Sequence, residues 1–335
     1  MKPRFQTLLL AWMVSTVVVG CGGTERDSLV IYCGRARTLV EPVIDRFREE
    51  TGIDVKVRYG QTSQLAVTMM EEGTRSPADV FWAQEAAGLQ QLAREELLDP
   101  LPAAISERTP PRFRHAAGWW VGTSARARVL AYAPARVAQD ELPRSIFDLA
   151  DAPWRGRVGW APTNASFQTF VTGMRARYGD AETLAWLTAM RANQTRAYSQ
   201  NSPILDAIAA GEIDLGLTNH YYLLRFQQAD PGFPVAQTFF APGDAGNLML
   251  VSGVGTLRAS SNRETALRFA EYLLSTEAAE FFTREQFEYA VIEGVPPRPE
   301  LPGQEQLDAL APAVPLEALD DLDGTLRLLR ETGLL

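Results

Sequence analysis

Residues 217–226, LTNHYYLLRF, place two tyrosines side by side where a polar turn gives way to an apolar run. A phenol has a pKa of about 10, so it becomes an anionic ligand only when a strong positive centre displaces its proton. Ferric iron is such a centre, because it is hard and strongly Lewis acidic. Tyr221 and Tyr222 are therefore candidate metal ligands, and the alternative is that the pair only packs at a helix start.

The residues around the pair predict how it is held. A strand is expected at 213–217 and Asn219 is expected to cap the following helix, so the tyrosines lie in its first turn, about 100° apart around the axis. Both phenols can then point toward the ends of the strands. The partial positive charge of a helix amino terminus favours phenolates, or an anion beside them.

The rest of the chain alternates strand and helix patterns, which predicts an α/β fold with parallel sheets covered on both faces. Two further apolar strands, 128–132 and 248–257, are expected where the chain passes between lobes. The predicted strands are 29–32, 53–57, 77–82 and 157–160, and the predicted helices are 63–72, 85–95, 166–178, 181–192, 204–210 and 319–330.

The amino terminus has the layout of an export signal. Lys2 and Arg4 precede an apolar run at 5–20, which is short against the roughly 20 residues that span a bilayer. The end of this run, VVGC, resembles the lipobox of bacterial lipoproteins. That resemblance implies a signal peptide at 1–20, acylation of Cys21 and a lipidated tether at 21–27.

Composition narrows the class of partner. Without 1–20 the chain keeps 30 basic residues against 41 acidic ones, a net charge near −11, which argues against nucleic acid and against electrostatic attachment to anionic lipid. Beyond Cys21 there is one other cysteine, Cys33, so the exported chain has no internal disulfide to stabilise it. About 310 residues are enough for two lobes.

From residue 29 to the end, the chain resembles the bacterial ferric-iron binding proteins, the substrate-binding components of ABC-type iron importers. The resemblance is carried in order by IYCGR at 31–35, EEGTRSPADVFWAQ at 71–84, WAPTNASF at 160–167 and NSPILDAIAAGEIDLGLTNHYY at 201–222. It implies a periplasmic-binding-protein fold, in which two lobes, each a mostly parallel sheet flanked by helices, are joined by two crossing strands. It also implies that Tyr221 and Tyr222 bind the iron.

The same resemblance predicts the organisation and partners of the chain. We expect one lobe from 28–128 plus 252–302 and the other from 129–251 plus 303–335. A monomer that catalyses no reaction is expected to deliver ferric iron to a membrane permease and its ATPase, with the lipid anchor as the sole membrane attachment.

This sequence departs from the family at three positions. The resemblance implies a histidine ligand in some members where this chain has Ala36 and a carboxylate ligand in some where it has Gln84. Other members use a third tyrosine where this chain has Trp160. Only the tyrosine pair matches the ligands of the family. An anion such as carbonate or phosphate, plus water, therefore has to complete the coordination shell of the iron.

Several residues are candidates for holding that anion or lining the cleft. Arginine can fork two donors to an oxyanion, and the loops after parallel strands face the ligand side of the sheet. The candidates are Arg35, Gln84, Arg126, Thr163, Asn164, Ala165, Asn201 and Asn219.

Other interpretations stay open. One alternative is that the cleft holds an organic anion or a chelated metal. A different class of function is an exported thiol-dependent enzyme with Cys33 as nucleophile and His220 as its base. Tyr59 is a weaker candidate for a further phenolate, and His220 is expected to point to another face of its helix than the pair.

Overall fold

The computed structural model describes residues 28–335. The predicted signal peptide, the tether and Cys21 lie outside the described residues. The strands in chain order are β1 (Leu29–Cys33), β2 (Val55–Tyr59), β3 (Val80–Ala83), β4 (Leu98–Asp99), β5 (Val121–Tyr132), β6 (Val158–Trp160), β7 (Arg196–Ala197), β8 (Leu215–Asn219), β9 (Ala236–Thr238) and β10 (Met249–Leu257).

The helices carry most of the remaining chain. They are α1 (Arg37–Thr51), α2 (Thr62–Glu72), α3 (Ala86–Arg94), α4 (Ala103–Ser106), α5 (Ala165–Tyr178), α6 (Asp180–Ala192), α7 (Asn201–Ala209), α8 (His220–Ala229), α9 (Arg263–Leu273), α10 (Thr276–Arg284), α11 (Gln304–Leu310) and α12 (Leu322–Glu331). In the described part of the chain, no helix has both the length and the apolarity needed to cross a bilayer.

The first β-α-β unit shows how the sequence pattern becomes structure. The apolar face of α1 is fully buried, and the helix ends where Gly52 takes a left-handed φ of 66° and donates its N–H to the Arg48 carbonyl. Strand β2 then pairs in parallel with β1, as the alternation predicts.

The strands form two parallel groups joined by two long strands. The order is β2-β1-β3-β10-β5-β8-β6-β7, with β4 on β10 and β9 on β5. Strand β1 is parallel to β2 and β3 in the first lobe, and β6 is parallel to β7 and β8 in the second. The predicted two-lobed α/β class is confirmed by this topology together with the structural comparisons reported below.

The two long strands pass between the lobes. The first half of β5 pairs antiparallel with β10, and its second half, 128–132, pairs with β8 and β9. The sequence predicted only 128–132 because the preceding VGTSARA contains mostly small and polar residues, with no apolar alternation. These residues are nevertheless buried, since helices and strands of both lobes cover them.

The carboxyl-terminal segment packs on the second lobe. Helix α12 lies against α5 and α6. The Thr172 and Thr325 hydroxyls are 2.8 Å apart, and Arg175 donates to Asp321 at 2.7 Å. The exact lobe boundaries predicted from the sequence stay a prediction.

Candidate metal and anion site

Two pairs of parallel strands, β1 and β3 in the first lobe and β6 and β8 in the second, position the candidate residues at their carboxyl ends. Arg35 follows β1, Gln84 follows β3 and Asn164 follows β6, while Asn219 is the last residue of β8. Within each lobe the loops at the carboxyl ends of the parallel strands lie at one edge. Gln84 from the first lobe and Asn164 from the second line the same cavity, so the loops of the two lobes face each other.

The tyrosine pair lies in the first turn of α8, as predicted, although the helix begins one residue earlier, at His220. The two rings are 4.3 Å apart between centroids and tilted by 30°. Tyr221 is 7% exposed and Tyr222 is half-buried. Asn219 occupies the cap position, but its side chain does not cap the helix, because its Oδ1 accepts a hydrogen bond from Arg128 at 3.0 Å.

Burial raises the pKa of Tyr221 above its usual value, and the neighbouring Tyr222 raises it further, whereas the positive charge of Arg126 lowers it. The phenol is therefore neutral at pH 7 in the absence of a cation. It becomes a phenolate only when a strong Lewis acid replaces its proton.

Arg126 lies beside the pair and is 1% exposed. Its Nη2 donates to the Gln84 carbonyl at 2.7 Å and lies 3.1 Å from a carboxylate oxygen of Glu85, while its Nε has no partner. Burial lowers the pKa of Arg126, but Glu85 and Glu288 raise it by more, so the net shift is upward. One N–H of this guanidinium is therefore available to an anion.

Arg128 is the second buried guanidinium, 2% exposed, and it has no carboxylate within ion-pair distance among the described residues. Its Nη1 donates to Asn219 at 3.0 Å and to the Ser166 hydroxyl at 3.4 Å, and its Nη2 has no partner. Burial lowers the pKa of Arg128 to about 10, a shift that both tyrosines oppose. A buried cation without a counter-ion is costly, so an anion at this position is favoured.

Arg35 has a different environment. Its Nη2 lies 2.5 Å from Glu288, its Nη1 donates to Ser124 at 3.1 Å, and its Nε donates to the Gln84 side chain at 3.1 Å. Burial raises the pKa of Glu288, but Arg35 and Arg126 lower it by more, so this carboxylate is ionised. The donors of Arg35 are thus committed to protein groups, and Arg35 orients Gln84.

The start of α5 collects the polar residues predicted there. Asn164 caps the helix by accepting the Ser166 N–H at 3.0 Å, and its amide donates to Gln200 at 2.7 Å. Asn201 is fully buried and donates to Asn164 at 3.4 Å, but its Oδ1 has no partner. Thr163 and Ala165 face the space between the lobes.

A cavity of about 450 Å³ lies between the lobes. Of the predicted residues, Gln84, Thr163, Asn164 and Ala165 line it. Arg35, Arg126, Asn201, Asn219 and the tyrosine pair do not. Glu85 lines the cavity and contacts Arg126.

The other titratable candidates, His220, Cys33 and Tyr59, have surroundings that favour a structural role over metal binding or catalysis. His220 is fully buried; its Nδ1 accepts from the Ala127 N–H at 3.1 Å and its Nε2 donates to the Phe287 carbonyl at 2.7 Å. Burial lowers the pKa of His220 to about 4, so the ring is neutral. Burial also raises the pKa of the Cys33 thiol to about 12, which disfavours the thiolate that a nucleophile needs. Tyr59 donates to Glu41 at 2.5 Å.

Sequence reasoning missed Arg128, Glu85 and Ser166. The signal for Arg128 was available, because residues two apart in a strand share a face and Arg126 had already been chosen. Glu85 follows Gln84 and was taken as the start of a helix. In the described part of the chain no group of three or more histidine, cysteine, aspartate or glutamate side chains could hold a metal.

Comparison with known proteins places this geometry in context. Residues 29–288 match the sequence profile of the bacterial extracellular solute-binding proteins. The chain is 33% identical to the Fe(3+)-binding periplasmic protein of Serratia marcescens over 342 aligned residues, covering 100% of both chains. It is 32% identical to the major ferric iron-binding protein of Neisseria meningitidis, covering 91% of this chain and 93% of the relative.

A solved structure agrees with these relatives. Iron-bound HitA from Pseudomonas aeruginosa superposes with a TM-score of 0.84 at 32% identity, covering 91% of this chain and 99% of HitA.

Proposed function

The chain belongs to the bacterial extracellular solute-binding proteins and is a relative of ferric iron-binding periplasmic proteins, and from this premise we propose that it captures ferric iron at Tyr221 and Tyr222 together with a synergistic anion. One observation carries the proposal. Two adjacent phenols stand at a helix amino terminus beside Arg126 and Arg128, each of which has a buried N–H without a partner.

The phenols supply the anionic oxygens that ferric iron prefers. Each phenol has to lose a proton to bind iron as an anion. The positive charge of Arg126 lowers the pKa of Tyr221 and so favours this loss. Since ferric iron takes about six donors, an anion and water complete the shell. Carbonate or phosphate suits this role, because either can ligate iron and accept hydrogen bonds from the free Arg126 Nε and Arg128 Nη2.

Charge balance favours a dianion. Arg126 and Arg128 face one nearby carboxylate, Glu85, whose pKa burial raises and Arg126 lowers. With Glu85 ionised and the Arg35–Glu288 pair neutral, the buried site has one excess positive charge. Ferric iron with two phenolates adds one more. A carbonate or hydrogen phosphate ion cancels both, which avoids leaving uncompensated charge in a buried site.

The transport role follows from the family. We propose an exported protein, anchored through Cys21, whose lobes close on the iron and present it to a permease driven by an ATPase. Closure requires that the ligand bind the closed form more tightly than the open form. The relatives are solute-binding proteins rather than enzymes, and the buried, protonated Cys33 offers no support for a thiol-dependent activity.

The direct test is a titration of apo-protein with ferric nitrilotriacetate in the presence of carbonate or phosphate, followed by the visible phenolate-to-iron charge-transfer band. We expect a band in the wild type. Tyr221→Phe and Tyr222→Phe should each weaken binding by more than the roughly 10- to 100-fold typical of losing an outer-sphere partner.

Tyr178→Phe provides the matched control, because Tyr178 lies at the far end of α5 against Phe147 and Arg177. It should leave both the band and the affinity unchanged. Tight iron binding retained by either site variant would refute the assignment of that tyrosine.

A further inference from the structure

Residues 303–335 form a strap that contacts both lobes. Helix α12 in this strap packs on α5 and α6 of the second lobe, and the short 3₁₀ helix Leu316–Leu319 before it contacts both α5 and α3 of the first lobe. Leu319 and Asp320 also line the cavity between the lobes. The strap therefore connects the two lobes by non-covalent contacts, in addition to the crossing strands β5 and β10.

The strap is closely packed on the second lobe. Besides the contacts of α12 with α5 given above, Arg191 in α6 donates to the Thr332 carbonyl at 2.6 Å. At Gly173 in α5, an added Cβ would lie 3.4 Å from a methyl group of Leu319, so this helix and the strap are in van der Waals contact. We therefore expect the strap to move with the second lobe when the lobes move.

On the first lobe the strap is held by charges. Arg94 at the end of α3 pairs with Asp320, and Arg112 pairs with Asp308 at 3.0 Å. Both cations belong to the first lobe and both carboxylates belong to the strap. Because the Asp320 side chain is only 7% exposed, its charge needs this partner. Such complementary charges fix the position of one surface on another.

His115 adds a third group of the same kind. Its ring stacks on Trp119 of the first lobe with 4.9 Å between the centroids. Burial lowers the pKa of His115, and the negative charge of Glu317 in the strap opposes that shift. Glu317 thus acts on the first lobe with the same sign of charge as the other two strap carboxylates.

Apolar packing between the strap and the first lobe is incomplete. A cavity of about 100 Å³ separates Phe113 of the first lobe from Leu307 and Leu316 of the strap, with Val251 of β10 also in its wall. Side chains that line a void lose the dispersion contacts that a filled interface would give. On this side, the ion pairs therefore provide a large part of the attraction, whereas the second-lobe side is well packed.

We infer that the strap is an electrostatic latch, which stabilises the closed arrangement of the lobes before any ligand binds. Opening about β5 and β10 has to separate α3 from the strap, because the strap is fixed to the second lobe. Each exposed ion pair typically favours the paired state by about threefold. Arg94–Asp320 and Arg112–Asp308 together would then favour the closed arrangement by about tenfold, and a ligand in the cleft would add to that preference.

Small-angle X-ray scattering of the apo-protein tests the latch without iron. The double variant Arg94→Met/Arg112→Met should have a larger radius of gyration than the wild type at low salt. The wild type in about 1 M NaCl should approach the value of the variant, because salt screens exposed charges. Arg258→Met is the matched control, since its exposed pair with Glu96, at 3.4 Å, lies within the first lobe. It should keep the wild-type radius.

A charge swap separates the ion pair from an effect on folding. Arg112 and Asp308 are both exposed, so either position tolerates a charged replacement. Arg112→Asp alone places two carboxylates together and should enlarge the radius of gyration at low salt. Adding Asp308→Arg restores an ion pair of reversed direction and should restore the wild-type radius.

Iron release gives a second measurement, which rests on the proposed iron site. Transfer of iron from the loaded protein to excess EDTA should be about tenfold faster in Arg94→Met/Arg112→Met than in the wild type. A radius of gyration that is unchanged in this variant, or changed equally in Arg258→Met, would overturn the latch. Failure of the wild type to bind iron would refute the tyrosine site alone, because the scattering experiment contains no iron.

Discussion

Two groups of buried arginines lie within the same strand network, and they differ in how completely they are paired. Arg35 in the first lobe has Glu288 at 2.5 Å, Ser124 and the Gln84 side chain, which together occupy all three of its nitrogens. Arg126 on β5 pairs with Glu85, whereas Arg128 on the same strand has no carboxylate partner among the described residues, and each retains a nitrogen without a partner. The groups are linked through Gln84, whose side chain contacts Arg35 and whose carbonyl accepts from Arg126.

The difference separates a structural role from a binding role. A buried cation is tolerated when charge and hydrogen bonds are both satisfied, as they are for Arg35. An unpaired N–H on a buried guanidinium needs a reason because the group carries a charge as well as a donor, and a bound anion is the simplest one. We therefore expect substitutions in the first group to change stability, and substitutions in the second group to change affinity.

The largest expected effect tests the structural group. Glu288→Gln leaves the Arg35 guanidinium buried without a counter-charge, and breaking such a pair typically costs about 3–5 kcal/mol. Denaturant unfolding should show this loss, while the iron affinity of the folded fraction changes little. Glu285→Gln is the control, because its pair with Arg46 is exposed and worth at most about 1 kcal/mol. Equal losses in the two variants would contradict the comparison.

The second group supplies a matched pair of variants. Arg128→Met removes a cation that lacks a carboxylate partner, so stability should stay within about 1 kcal/mol or rise. Affinity for the synergistic anion should fall about 10- to 100-fold, as expected for a lost charge-assisted hydrogen bond. Anion titrations monitored by the charge-transfer band measure this directly.

Arg126→Met should behave differently, because it leaves Glu85 buried without its partner. Stability should then fall by about 3–5 kcal/mol, in addition to the loss of anion affinity. If Arg128→Met were as destabilising as Arg126→Met, Arg128 would belong with the structural group, and the unpaired nitrogen would not indicate an anion.

The stability of the protein should depend on pH through His220, whose ring contacts the backbone of Ala127, between Arg126 and Arg128, and of Phe287, next to Glu288. The pKa of His220 is about 4 in the folded protein and about 6.5 when exposed. As the pH falls below 6.5, the unfolded chain takes up a proton that the folded protein excludes, so stability decreases by about 1.4 kcal/mol per pH unit until pH 4. Between pH 7 and 4, the free energy of unfolding should therefore depend less steeply on pH in His220→Gln than in the wild type. An identical slope would mean that other groups dominate.

The fold was predictable where periodicity is strong and less so where it is weak. The pattern at 166–178 predicts α5 to within one residue. The first half of β5 was missed because its small and polar residues are buried by neighbouring elements, which a local pattern does not encode. Helices α9 and α10 lie in a stretch for which no element was predicted.

The residues of the candidate site also differ in how far the sequence predicts them. Residue type and adjacency identify Tyr221 and Tyr222, and the residues after β3 and β6 were expected to approach each other. The pairing of Arg35 with Glu288, 253 residues away, depends on a tertiary contact that no local pattern predicts. For the same reason, sequence could not distinguish the committed donors of Arg35 from the free donors of Arg126 and Arg128.

The smallest expected effect concerns Gln84, the residue between the groups. Gln84→Ala removes the acceptor for the Arg35 Nε but keeps the backbone carbonyl that accepts from Arg126 and Ser252. Stability should fall by about 0.5–1.5 kcal/mol, the usual net value of one hydrogen bond, and iron affinity should change less than threefold, roughly half that energy. A much larger loss of affinity in a charge-transfer titration would show that Arg35 acts on the metal site through this side chain. The two groups would then form one functional unit, because a fully paired arginine would be positioning the groups that bind the ligand.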